Sequence, residues 1–161
     1  MSSAGDVRVA AVVEKEAIRD LVQATARLLD REELGEWGDL FAPESEYELA
    51  AYSPEIQAPM SWWKTDRAVL LQMLREVPDH VRDPAKRLHL VTPVSIEVSG
   101  DQATAISHFA VFRTTEEGAS HVYAVGRYED TLVKHGGRWL YAKHRVVVET
   151  RMLETFTHLP L

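Results

Sequence analysis

At 161 residues, the chain is long enough for one well-packed domain and too short for two of ordinary size. It has no cysteine, which excludes disulfide frameworks, thiol nucleophiles, cysteine-type zinc sites and iron–sulfur clusters, since even mixed clusters need two thiolates. A formal net charge of −7 argues against a phosphate-binding surface, and so against nucleic acid as a partner.

The first residues, Met1-Ser2-Ser3-Ala4-Gly5-Asp6, lack a basic segment followed by a long apolar core, and no later run is long and apolar enough to span a bilayer. A cytoplasmic, single-domain protein over residues 1–161 is expected, with residues 1–10 as a flexible N-terminal segment. From Val13 to Asp30, Ile18, Leu21, Val22, Leu28 and Leu29 recur at the spacing of one helix face, interrupted by Thr25. Leu34, Trp37, Leu40 and Phe41 predict a second, short helix ended by Pro43, and the alternation over Glu46–Tyr52 predicts a strand. Pro54 to Lys64 reads as a loop carrying the adjacent Trp62 and Trp63. A third helix follows, capped by Thr65 or Asp66 and stopped by Pro78.

The remainder predicts four strands, Arg87–Val98, Gln102–Thr114, Ser120–Val133 and Arg138–Glu149. The turns between them each contain glycine, at Gly100, Gly118 and Gly136-Gly137. Helices followed by an antiparallel meander give an α+β class, with the helices on one face of a strongly curved sheet.

Several segments carry a resemblance: Ala26-Arg27-Leu28-Leu29-Asp30-Arg31 with Trp37-x-x-Leu40-Phe41; Arg82-Asp83-Pro84-x-x-Arg87-x-His89-Leu90-Val91; Gly126-Arg127-Tyr128-Glu129-Asp130; and Gly136-Gly137-Arg138-Trp139. From Ile18 onward the chain resembles the β (small) subunits of Rieske-type aromatic-ring-hydroxylating dioxygenases. These lie within the cystatin-like cone superfamily, also called nuclear transport factor two-like. The resemblance implies a cone of three N-terminal helices on a mostly antiparallel mixed sheet. It further implies a non-catalytic subunit without cofactor, in a hexamer of three α and three β chains with β–β contacts. The Rieske 2Fe–2S cluster and mononuclear iron would sit in the partner α (large) subunit, and the substrate would be a benzoate-like acid. Trp62, Trp63 and the apolar tail over residues 152–161, with Phe156 and Leu161, are the candidate subunit-contact residues, unless they fold back onto their own domain.

A second reading needs acid–base chemistry. Asp30, His89 and His108 resemble the Asp and two His of the scytalone dehydratase family, which implies a cofactor-independent dehydratase, cyclase or isomerase. On alternation alone, Leu88, Leu90, Val94, Ile96 and Val98 form the core face of their strand. That leaves His89 outside unless the Thr92-Pro93 step bends or bulges it. His108 shares a face with Ile106, Ala110 and Phe112 and is expected to point inward, with Asp30 as its partner or as a solvated helix-end carboxylate. A third reading is a ligand-binding module with an apolar cavity. The seven histidines show no spacing typical of metal ligands. Arg127, Glu129 and Asp130 are explained by charge pairing with Lys143 or Arg145 on the next strand.

Overall fold

The computed structural model describes residues 4–80, 82–154 and 159–161. Helix α1 (Ala4–Asp30) begins nine residues before the expected Val13, and its two halves differ. Ile18, Leu21, Val22, Ala26, Leu28 and Leu29 are buried, whereas Val7, Val9, Val12 and Val13 are exposed. Thr25, the polar break in the apolar row, is also buried, with its hydroxyl 2.8 Å from the Tyr141 hydroxyl and 3.3 Å from the Leu21 carbonyl that accepts from it. A short α2 (Leu34–Gly38) brings in the fully buried Trp37. Helix α3 (Arg67–Glu76) starts at Asp66, whose carboxylate accepts from the Val69 amide at 3.0 Å, the capping residue type that helix starts favour.

Six strands make one sheet in the order β2-β1-β6-β5-β4-β3. Their ranges are β1 Phe41–Ser53, β2 Ala58–Asp66, β3 Lys86–Ser99, β4 Gln102–Thr114, β5 Ser120–His135 and β6 Arg138–Val148. The β1–β6 pair is parallel and all others are antiparallel, so the sheet is mixed as expected. Every ladder contains a register shift, and such bulges bend a sheet so that it can wrap a helix. Here α1 lies against β3 and β6, and the core between them is rich in aromatic rings, including Trp37, Phe41, Tyr47, Tyr128 and Tyr141.

Two expectations need correction. The stretch expected as a tryptophan loop is largely an edge strand, β2, and an edge tolerates Pro59 because no neighbour needs its missing N–H. Strand β1 begins at Phe41, a residue that helical spacing places in the short helix. Gly126 lies on β5 opposite Val148 of β6. A Cβ there would lie 2.2 Å from the Val147 carbonyl oxygen and 2.9 Å from the Val148 Cα, so only hydrogen fits between β5 and β6.

Candidate functional site

The inner face of β3 is the reverse of what unbroken alternation predicts. A register shift between Pro93 and Ser95 changes the parity of the strand, so His89 and Val91 point inward with Ile96, while Leu88, Leu90 and Val94 are exposed. On β4, Ala103, Ala105, Ser107, Phe109 and Val111 are buried, and His108 lies on the outer face with the exposed Ile106. Asp30, His89 and His108 are therefore not brought to one place.

Asp30 does meet His89. Its Oδ1 is 2.6 Å from His89 Nδ1, and the His89 backbone amide donates to Oδ1 and Oδ2 at 2.9 and 3.1 Å. Strand β3 is the last in the sheet, so the backbone groups on its open side have no strand to pair with. Helix α1 supplies partners instead: Asp30 accepts from His89 N, and Gln23 Nε2, two turns earlier, donates to the Val91 carbonyl at 3.0 Å. The carboxylate thus caps a sheet edge and orients an imidazole at once. His89 Nε2 is buried and has no partner among the described residues.

A second pair went unnoticed in the sequence. Asp130 on β5 stands opposite His144 on β6, both side chains are fully buried, and Oδ1 lies 2.6 Å from Nδ1. Five aromatic rings surround His144, those of Tyr141 and Tyr128 being nearest at 4.6 and 4.7 Å between centroids. Burial holds the Asp130 carboxyl above the usual carboxylate range, opposed by the charge and hydrogen bond of His144. Burial likewise raises the Tyr128 phenol.

The outer face of the sheet divides in two. Across β2, β1, β6 and β5 runs a chain of ion pairs: Lys64–Glu46–Lys143–Glu48–Arg145–Glu129–Arg127–Glu149, with distances between 2.5 and 3.1 Å. The expected pairing of Glu129 with Arg145 is one of its links. Over β3, β4 and the start of β5 the same face is apolar, with Leu88, Leu90, Ile106, Val122 and Val125 exposed. Of the candidate subunit-contact residues, Trp62 is exposed, while Trp63 is half-buried with its ring 5.2 Å from that of Tyr47. Leu161 is buried, its amide 3.4 Å from the Tyr47 hydroxyl, and Phe156 lies outside the described residues.

Among the described residues no group of three or more His, Cys, Asp or Glu side chains could hold a metal ion, and no helix is long and apolar enough to cross a membrane.

A family model for a SnoaL-like domain matches residues 10–145. The β subunit of the methanesulfonate monooxygenase hydroxylase of Methylosulfonomonas methylovora is 29% identical, over 91% of this chain and 86% of that one. The β subunit of 2-aminobenzenesulfonate 2,3-dioxygenase from an Alcaligenes species is 23% identical, over 90% and 97%. Among solved structures, one described as the β subunit of a candidate aromatic-ring-hydroxylating dioxygenase from Novosphingobium aromaticivorans superposes with a TM-score of 0.79. It is 24% identical and covers 89% of this chain and 94% of its own.

Proposed function

The chain belongs to the SnoaL-like domain family, and from that premise we propose that it is the non-catalytic small subunit of a multicomponent ring-hydroxylating oxygenase. The observation that carries the reading is collinearity: chains named as oxygenase β subunits match about nine-tenths of this one and 86% and 97% of their own length. The competing acid–base reading loses a member of its set, since His108 faces away from the interior. Fold alone could not separate the two.

In this reading the chain contributes architecture, and the redox centres belong to the large subunit. With no cysteine, the chain offers neither of the two thiolates a Rieske cluster takes. Assembly as three large and three small chains requires small-subunit contacts, and the apolar outer face of β3–β5 suits them. The adjoining ion-pair chain alternates acid and base, so copies of a chain with net charge −7 can approach there without bringing like charges together. The relatives' named substrates are a methanesulfonate and an aminobenzenesulfonate, which favours a small organic acid, benzoate-like or its sulfonate counterpart.

Co-expression with a Rieske-type large oxygenase subunit tests the proposal. A hexamer with a Rieske absorption spectrum is expected, and Leu90→Asp should break it into smaller species. Turnover by the chain purified alone, or failure to bind the large subunit at all, would refute the assignment.

A further inference from the structure

We infer that the groove between α2 and α3 is where the large subunit docks, through a segment that carries carboxylates beside aliphatic or aromatic anchors. The inference rests on the small-subunit reading and adds to it the place and the chemistry of the contact.

The groove has a volume of about 730 Å³ and lies outside the space between helices and sheet, since no described residue that lines it comes from a strand. One wall forms where the chain leaves α1. Glu32 takes the left-handed conformation, φ 54°, its amide donates to the Leu29 carbonyl at 3.1 Å, and the Glu33 amide donates to the Leu28 carbonyl at 2.9 Å. These are the hydrogen bonds that close a helix and turn the chain, and here the turn delivers Leu34 to the groove. Helix α3 and the turn after it supply the other wall, with Leu71, Leu74, Val77 and Pro78. Gly35 looks into open space, nothing lying within 4 Å of a Cβ placed there.

Three guanidinium groups stand around this apolar floor, those of Arg31, Arg75 and Arg82. Arg82 is bound to Glu32, while the exposed Arg31 and Arg75 make no ion pair among the described residues. The other acid of the groove, Asp39, faces Arg67 at 3.9 Å. Three cations against two acids make the rim positive on a chain whose net charge is −7. The sheet's outer face differs, because each cation in its ion-pair chain already has an acid. Positions at the C-terminal ends of α1 and α3 account for arginines there, but not for an apolar floor between them.

Magnitudes select the occupant. An exposed guanidinium–carboxylate pair changes affinity by roughly fivefold at most, too little to hold a small anion. A polypeptide segment that lays apolar side chains on Leu34, Leu71 and Leu74 adds buried area to those pairs and shields them from water. The apolar face of β3–β5 serves contacts between small subunits, so the large one needs a separate surface, and this one has the charge that an acidic segment complements.

The test is the affinity of the full chain for a Rieske-type large subunit, measured by sedimentation at about 50 and about 500 mM salt. Arg31→Glu combined with Arg75→Glu should weaken binding about tenfold or more at the lower salt and flatten its salt dependence, with contacts between small subunits intact. Gly35→Leu, which puts a side chain into the groove without changing charge, should weaken binding at both salt concentrations. Arg138→Glu, on the β5–β6 hairpin, should leave the affinity unchanged. Near-UV circular dichroism checks that each variant is folded. Wild-type affinity in either groove variant, or an equal loss from Arg138→Glu, would overturn the inference and leave the subunit reading standing. A wild-type chain that binds no large subunit would end the reading and the inference together.

Discussion

Replacing Asp30 by alanine asks whether its carboxylate holds the fold together. In the folded chain it is the acceptor for the His89 amide at 2.9 and 3.1 Å and lies 2.6 Å from His89 Nδ1. Alanine leaves both His89 groups without that partner, on a side chain only 1% exposed. Each unsatisfied buried polar group costs about 1–3 kcal/mol, so the pair amounts to about 2–6 kcal/mol. Asp30 itself is 18% exposed, so water can enter part of the space it vacates, which brings the expected loss to about 2–4 kcal/mol. Asp30→Asn keeps one carbonyl acceptor in place and should lose about half as much. Urea unfolding followed by tryptophan fluorescence measures both losses, with an unchanged dependence on urea if the unfolded states are alike. Hydrogen exchange at the His89 amide should quicken in Asp30→Ala. An alanine variant within about 0.5 kcal/mol of wild type would refute the edge-cap account, as would an asparagine variant no better than alanine.

Gly126→Ala should lower stability by about 2–4 kcal/mol by the same unfolding measurement, because the added carbon would sit 2.2 Å from the Val147 carbonyl oxygen and only backbone movement can relieve it. His108→Gln, on the outer face, should stay within about 0.5 kcal/mol and leave the interior histidine resonances unmoved; a larger change would place this side chain inside after all. Asp83 accepts two hydrogen bonds from Arg113 at 2.6 and 2.7 Å, which hold its carboxyl down at about 2 against an ordinary 3.8. The folded state therefore binds that proton less readily than the unfolded state, so the stabilisation is present above pH 3.8 and is lost as pH falls toward 2. Asp83→Asn should cost about 2 kcal/mol at neutral pH, and its deficit relative to wild type should shrink through that acid window in pH-dependent unfolding.

The long strands were legible because alternation ran between glycine turns, and all four of those turn glycines, Gly100, Gly118, Gly136 and Gly137, have positive φ. Which face of β3 points inward was not legible. Both faces carry aliphatic side chains, Leu88 and Leu90 on one and Val91 on the other, so hydrophobicity alone does not separate them. The register shift after Pro93 then breaks the extrapolation from Ile96 and Val98. Asp130–His144 was hidden for a related reason. Counting back from the His135–Arg138 pair at the hairpin places Asp130 opposite Lys143, an ordinary surface ion pair. The one-residue shift between Thr131 and Leu132 replaces that lysine with His144. Strand β2 was missed because most of its residues are exposed, and an edge strand with one solvated face and no buried row gives little periodicity.

Those register shifts show what the two buried Asp–His pairs do for the architecture. Were β5 and β6 to slip back into the unshifted register, Asp130 would face Lys143, and His144 would lose the partner that makes its burial tolerable. The Asp130–His144 hydrogen bond therefore favours the shifted register over the regular one, the kind of specificity for which buried polar pairs are best attested. Asp30–His89 acts at the opposite end of the sheet, where α1 closes the open edge of β3. One pair fixes where the sheet bends and the other fixes the helix it bends around. With both in place, the outer face of β3–β5 is presented as a defined apolar surface. A subunit whose contribution is shape needs that surface held still, and the interior carboxylates and imidazoles are positioned to hold it before any chemistry is asked of them.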